Sequence, residues 1–324
     1  MLRSLVVLVC VVSALAGQSP NAAFVEELVE LYNDGRFSDN LQEDASLDVP
    51  ELVRKYGYPL EEHTVETSDG YILTMHRIPH GREASNDTGQ KPVVFMMHGL
   101  LSSSADYVLM GPGSGLAPVA FMANNRNLLL NALAPFARSL SRLANLIGIG
   151  EFMPNRLIYT WAGQALCKDE ALFQPICSSI LFLIAGWNEK QHNATMLPVI
   201  FGHTPAGASV RQFAHYGQGI SGNKFRRFDH GMAKNLRMYG RISAPDYDLR
   251  KITTPVFLHY STNDPLAHVN DVDKLWSELK NPVGKFKVQE NTFSHLDFMY
   301  GIDARALVYN RVISFLRVMD SLEV

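Results

Sequence analysis

Three cysteines, a net charge of −3 and no apolar run of bilayer length set the first limits on this 324-residue chain. So few cysteines exclude a small scaffold stapled by disulfides. The near balance of 29 Lys and Arg against 32 Asp and Glu excludes the concentrated basic face that nucleic-acid binding needs. The longest apolar stretches are Leu5 to Leu15 and Ile176 to Trp187. Both fall short of the ~20 residues of a membrane-spanning helix, so no transmembrane anchor is expected. There is no internal repeat, no low-complexity segment and no His-Glu-x-x-His. A metal centre on His98, His203, His215 or His295 therefore lacks the ligand spacing it would require. What is present, 47% hydrophobic and 19% charged residues, describes a globular chain with ample apolar surface for a core.

Arg3, the apolar run Leu5 to Leu15 and the small–x–small string Ala14-Leu15-Ala16 read as a secretory signal over residues 1–16, with the mature chain starting near Gly17. Two sequons, Asn86-Asp87-Thr88 and Asn193-Ala194-Thr195, agree with export as glycosylation sites. Cleavage removes Cys10 and leaves Cys167 and Cys177. An oxidising compartment allows these to pair across a short loop; two buried thiols are the alternative.

In the mature chain, His63 to Ser68 and Tyr71 to Ile78 alternate around Ser68-Asp69-Gly70, which predicts a β-hairpin. Pro92 to Met97 reads as a buried strand, apolar on both faces, ending at His98-Gly99-Leu100-Leu101. The region 117–240 is largely helical by period, with one stripe at Leu140, Leu143, Leu146 and Ile147 and another over Ala171 to Ile184. The tail alternates strand Val256–Tyr260, helix Val269–Leu279, strand Lys285–Val288 and helix Tyr309–Met319. This order predicts an α/β fold with a parallel sheet and a helical insertion.

Asp264 follows one predicted strand and His295 the next. Catalytic groups in α/β sheets sit on loops beyond the carboxyl ends of strands. An Asp there can hold a His in one tautomer and stabilise the imidazolium formed during acyl transfer. Alone, Asn263-Asp264-Pro265 is more often a turn and a single His more often structural. Their order and spacing, one βαβ unit apart, favour the functional reading. A tight turn at His98-Gly99-Leu100-Leu101 would point backbone N–H groups at the same site.

These residues carry a resemblance. Tyr58-Pro59-Leu60-Glu61-Glu62-His63, Asp69-Gly70-Tyr71-Ile72-Leu73, His98 through Gly111, Leu116 through Ala120 and Gly148 through Phe152 resemble the acid lipase family of gastric, lysosomal and insect digestive lipases. So do Pro205 through Val210, Pro245 through Leu249, Asn263-Asp264 and Ser294 through Phe298. The resemblance implies an α/β-hydrolase core, in two parts over 17–116 and 241–324, with a helical cap over 117–240. It implies hydrolysis of neutral-lipid esters, triglycerides or steryl esters, at a lipid–water interface, in a secreted or lysosomal protein with no metal or cofactor. It implies Asp264 as triad acid, His295 as triad base and Leu100 as an oxyanion N–H donor.

The family's nucleophile is a Ser within Gly-x-Ser-x-Gly, ahead of the acid. That string occurs nowhere in this chain. Ser114, Ser209 and Ser221 lie in the nearest approximations, and Ser102, Ser103 and Ser104 read as turn residues. Up to Leu116 the chain resembles the segment after the oxyanion strand; from Ala117 it resembles the segment beyond the nucleophile helix and the strand that follows. Two strand–helix units, at least roughly 60 residues, are missing between them. The expectation is a depleted parallel sheet, an inactive lipase and, as alternative, a non-catalytic lipid-binding protein.

Overall fold

The computed structural model describes residues 39–82, 93–109, 120–152, 186, 188–191 and 196–322. The signal at 1–16, the sequons at Asn86 and Asn193, Cys167 and Cys177, and the stripe over 171–184 lie outside the described residues.

Asp48 starts the helix over Val49–Lys55 by a reciprocal cap. Its carboxylate accepts from the Glu51 N–H at 2.8 Å, and the Glu51 carboxylate accepts from the Asp48 N–H at 2.9 Å. Helix α1 spans Asp39–Ser46 and α2 spans Val49–Lys55, the latter burying Leu52 and Val53. The predicted hairpin follows: β1 (Glu61–Glu66) pairs antiparallel with β2 (Ile72–Arg77), from Glu61↔Arg77 to Glu66↔Ile72. Gly70 supplies the left-handed backbone its turn requires, with φ +86°.

The region 120–240 contributes helices α3 (Leu128–Leu133), α4 (Ala137–Leu146), α5 (Leu197–His203), α6 (Val210–Gly222) and α7 (Met232–Tyr239). A two-residue ladder joins β3 (Glu151–Phe152) to β4 (Ala208–Ser209). The tail forms β5 (Val256–Tyr260), α8 (Val269–Glu278) and β6 (Pro282–Lys287), with β5 and β6 parallel as a βαβ unit requires. Helix α9 (Asp297–Tyr300), a π-helical turn over Arg305–Tyr309 and α10 (Asn310–Leu322) complete it. Strand β6 starts three residues earlier than its apolar alternation indicated. Among the described residues no helix is long and apolar enough to cross a membrane.

Two clusters form the core. One joins Leu52 of α2, Ala105 and Leu109, Val199 and Ile200 of α5, and Leu296 and Tyr300 around α9. The other gathers Val288, Phe293, Phe298, Ala304, Val308 and Tyr309. The first unites segments distant in sequence and ties the loop after Leu100 to the loop that carries His295, while the buried residues of the second all lie within 288–309.

One expectation fails here. Val93 to Met97 belong to no strand and are exposed, Val93 to 90% and Phe95 to 71%. A strand apolar on both faces persists only between neighbours that bond its backbone and cover its sides. The sheets among the described residues are all two-stranded pairs, β1–β2, β3–β4 and β5–β6, and none of them accepts it. The parallel sheet is thus limited, among the described residues, to β5 and β6. The stripe Leu140, Leu143, Leu146 and Ile147 is likewise exposed. Helix α4 instead turns small residues toward α6: a Cβ on Gly217 would run into Ala137, and Ala134 and Ser141 are buried. Close approach through glycine and alanine wins the contact, and the leucines find no layer to cover them.

Phe95→Ala should therefore change the unfolding free energy by less than about 0.5 kcal/mol, as an exposed position does. Phe293→Ala, at a site with 0% exposure, should cost about 3–5 kcal/mol. Denaturant midpoints of the two variants against wild type check both.

Candidate acid–base site

Parallel pairing sends the chain off β5 and β6 at the same sheet edge, so the loops that follow are neighbours. Three bonds fasten them: the Val288 N–H donates to the Tyr260 carbonyl at 2.9 Å, the Ser261 hydroxyl donates to the Phe293 carbonyl, and the Asn263 amide donates to the Thr292 carbonyl at 2.7 Å. Asp264 is fixed within its own turn, where Oδ1 accepts from the Leu266 and Ala267 N–H groups, each at 2.8 Å. Its second oxygen remains for His295. The Nδ1–H of His295 donates to Asp264 Oδ2 at 2.9 Å, with the Asp264 side chain 3% and the imidazole 20% exposed.

The two residues expected to act together therefore do meet. With Nδ1 carrying the proton, Nε2 is the basic nitrogen, and among the described residues it has no hydrogen-bond partner. Burial alone would raise the Asp264 carboxyl. The charge and hydrogen bond of His295, with the N–H groups of Ala267 and Leu266, outweigh it and hold the carboxyl below its ordinary range. Burial alone would lower His295; the charge and hydrogen bond of Asp264 and the charge of Asp297 reverse this and raise it.

Asp297 is the residue sequence reasoning passed over, quoted only as part of a motif. It is buried, accepts from the Ser294 N–H at 2.6 Å and from the Asn188 amide at 3.0 Å, and sits near Glu290 and Asp264. Burial first, then the charges of Glu290 and Asp264, push its carboxyl up to about 6 against those two hydrogen bonds. The acid three residues after Ser294 was a legible turn pattern. Its partner Asn188, 109 positions away, was not.

Leu100 lies in a turn closed by the Ser102 N–H donating to the Gly99 carbonyl at 3.3 Å, and among the described residues its own N–H has no acceptor. Leu101 adopts φ +63°, a left-handed conformation unusual for a bulky residue. The loop is anchored to the His295 side of the molecule, because the Tyr300 hydroxyl donates to the buried Asp106 carboxylate at 2.7 Å and lies 2.9 Å from the Thr204 hydroxyl.

None of the serines weighed as nucleophile reaches His295 among the described residues. Ser102 is buried, the Ser103 hydroxyl accepts from the Ala105 N–H, and Ser104 Oγ lies 2.7 Å from His76 Nδ1. The Ser209 hydroxyl caps α6, and Ser221 is exposed on that helix. Ser114 lies outside the described residues. His203 and His215 each lie within hydrogen-bond reach of a carbonyl, of Asp44 at 2.8 Å and of Arg226 at 2.7 Å, while His98 turns back on the Gly99 carbonyl at 2.9 Å. Among the described residues no three His, Cys, Asp or Glu side chains are grouped to hold a metal.

A carboxyl raised on folding contributes stability that is present below its unfolded value of about 3.9 and lost as pH rises through about 6. Wild type should therefore lose about 2 kcal/mol more than Asp297→Asn between pH 4 and pH 7, read from denaturant midpoints at the two pH values.

The profile described as the partial alpha/beta-hydrolase lipase region matches residues 49–111. Lipase 3 of Drosophila melanogaster is 30% identical over 372 positions, covering 85% of this chain and 93% of its own. The lysosomal acid lipase/cholesteryl ester hydrolase of Homo sapiens is 28% identical, covering 85% and 92%; the gastric triacylglycerol lipase of Bos taurus is 28% identical, covering 84% and 92%. Since 85% of 324 residues is about 275, roughly a hundred of the 372 positions aligned with Lipase 3 face no residue of this chain. With 30% identity to Lipase 3 over 85% of the chain, and similar matches to the lysosomal and gastric lipases, the chain belongs to the acid lipase family.

Proposed function

We propose that this chain carries the acid–base half of a carboxylic ester hydrolase for neutral lipids, triglycerides or steryl esters, and lacks the nucleophile that would complete it. The observation that carries this reading is the hydrogen bond from His295 Nδ1–H to the doubly anchored carboxylate of Asp264. In acyl transfer of this kind His295 Nε2 takes the proton of a serine hydroxyl as Oγ attacks the ester carbonyl. Asp264 steadies the imidazolium, and the Leu100 N–H meets one side of the oxyanion. His295 then passes the proton to the departing alcohol, and water repeats the sequence on the acyl-enzyme. With no Gly-x-Ser-x-Gly in the chain, the first step has no attacking oxygen except that of water.

The exposed Val93 to Met97 and the hundred unmatched positions support a break between Leu116 and Ala117, as a skipped coding segment would leave. On this reading 17–116 and 241–324 are the two parts of an α/β-hydrolase core and 117–240 its cap. Residues 1–16 direct the chain to a secreted or lysosomal destination, Asn86 and Asn193 carry glycans, and Cys167 pairs with Cys177.

A second reading, a lipid-binding protein without turnover, is favoured by the apolar side chains Leu140, Leu143, Leu146 and Ile147 left in solvent. Hydrolysis of emulsified trioleoylglycerol and cholesteryl oleate decides the main proposal. Wild type and His295→Ala should both run at the uncatalysed rate, and a rate in wild type that His295→Ala abolishes would overturn it. Retention of labelled trioleoylglycerol on the purified chain without release of fatty acid would support the second reading.

A further inference from the structure

The turn that presents His295 is closed on itself: the Asp297 N–H donates to the Ser294 carbonyl at 3.1 Å and the Ser294 N–H donates to Asp297 Oδ2 at 2.6 Å. His295 lies inside that reciprocal pair, so its backbone follows the Asp297 carboxylate. The carboxylate is held in turn from a distant part of the chain, by the Asn188 amide at 3.0 Å, whose nitrogen also reaches Glu290 Oε1 at 3.3 Å. Gln191 repeats the device at the other end of α9. Its amide donates to Glu290 Oε2 at 2.6 Å and Asp303 Oδ2 at 3.0 Å, and its side-chain oxygen accepts from the Asp303 N–H at 2.9 Å.

Gly186 completes the contact. At φ +86°, it sits where a Cβ would collide with the Ser294 hydroxyl and come within 3.1 Å of Pro265, so it touches both the acid loop and the His loop. Asn188 and Gln191 are buried, and both are neutral donors set among the carboxylates of Glu290, Asp297 and Asp303. An amide satisfies those oxygens without adding a cation beside His295. A lysine in the same place would cancel the field that Asp297 exerts on the imidazole.

We propose that Asn188 and Asp297 form a positioning pair that holds His295 against Asp264, so that Asn188, with Gly186 packed beside it against the His295 loop, sets the geometry of the acid–base site. This rests on His295 being the base of that site. The groups that face the imidazole are Asp264 and Asp297; those that face Asp297 are Glu290 and Asp264, with Asn188 and Ser294 as its donors.

The test is a histidine titration by NMR in the full chain, with the His295 signals assigned by their loss in His295→Gln. In wild type a downfield Nδ1 proton shared with Asp264 should be visible. Asp297→Asn, nearly isosteric, should lower the His295 pKa by removing a neighbouring negative charge. Asn188→Ala should weaken or broaden the downfield proton in a chain whose circular dichroism is unchanged. If both variants fold and leave the His295 pKa and the downfield proton as in wild type, the positioning pair is wrong. Should Asn188→Ala fail to fold, the Asp297→Asn titration decides alone. Absence of the downfield proton in wild type itself would instead count against the acid–base reading, whatever the variants do.

Discussion

The parallel pairing of β5 with β6 is the constraint on which the candidate site depends. Parallel strands joined through a helix leave the sheet at the same edge, and only that geometry brings a turn at 261–265 against a turn at 293–297. The rest refines what the pairing starts. Ser261 and Asn263 lace the two loops together, the Leu266 and Ala267 N–H groups take one oxygen of Asp264, and the other oxygen accepts from His295. An imidazole so held has one tautomer, with its free nitrogen turned away from the acid. The first core cluster extends this order to the Leu100 loop through Ala105, Leu109 and Tyr300.

Against this well-fastened edge stands a part of the molecule that lacks company. Val93 to Met97 has the composition of an interior strand and the exposure of a loop. Helix α4 shows its leucines to solvent while its small residues pack on α6. Both follow from the same cause: apolar surface shaped for a layer that the described residues do not provide. Exposed strand-forming segments of this kind are templates for association.

That division also explains what could be read from the sequence. The hairpin, β5, α8, β6 and α10 were legible because turn residues and periodicity are local signals. Asp264 and His295 were legible because strand ends followed by acid and histidine are a topological signal. The strand at 93–97 was misjudged because hydrophobicity records what a segment would bury, and only neighbours decide whether it does; the stripe of α4 marked its helix correctly without telling what would cover it. Asn188 as the partner of Asp297 and the Asp106–Tyr300 bond were invisible because each contact joins segments about a hundred or more positions apart, with nothing in the local pattern to mark the partner.

The central proposal is an assembled acid and base with no serine to activate. Exposure of the purified, folded chain to a fluorophosphonate ester, followed by intact mass measurement, tests it most directly. No adduct should form, at pH 5 or at pH 7.5. A stoichiometric adduct on any serine, lost in His295→Ala, would show that a nucleophile is present after all.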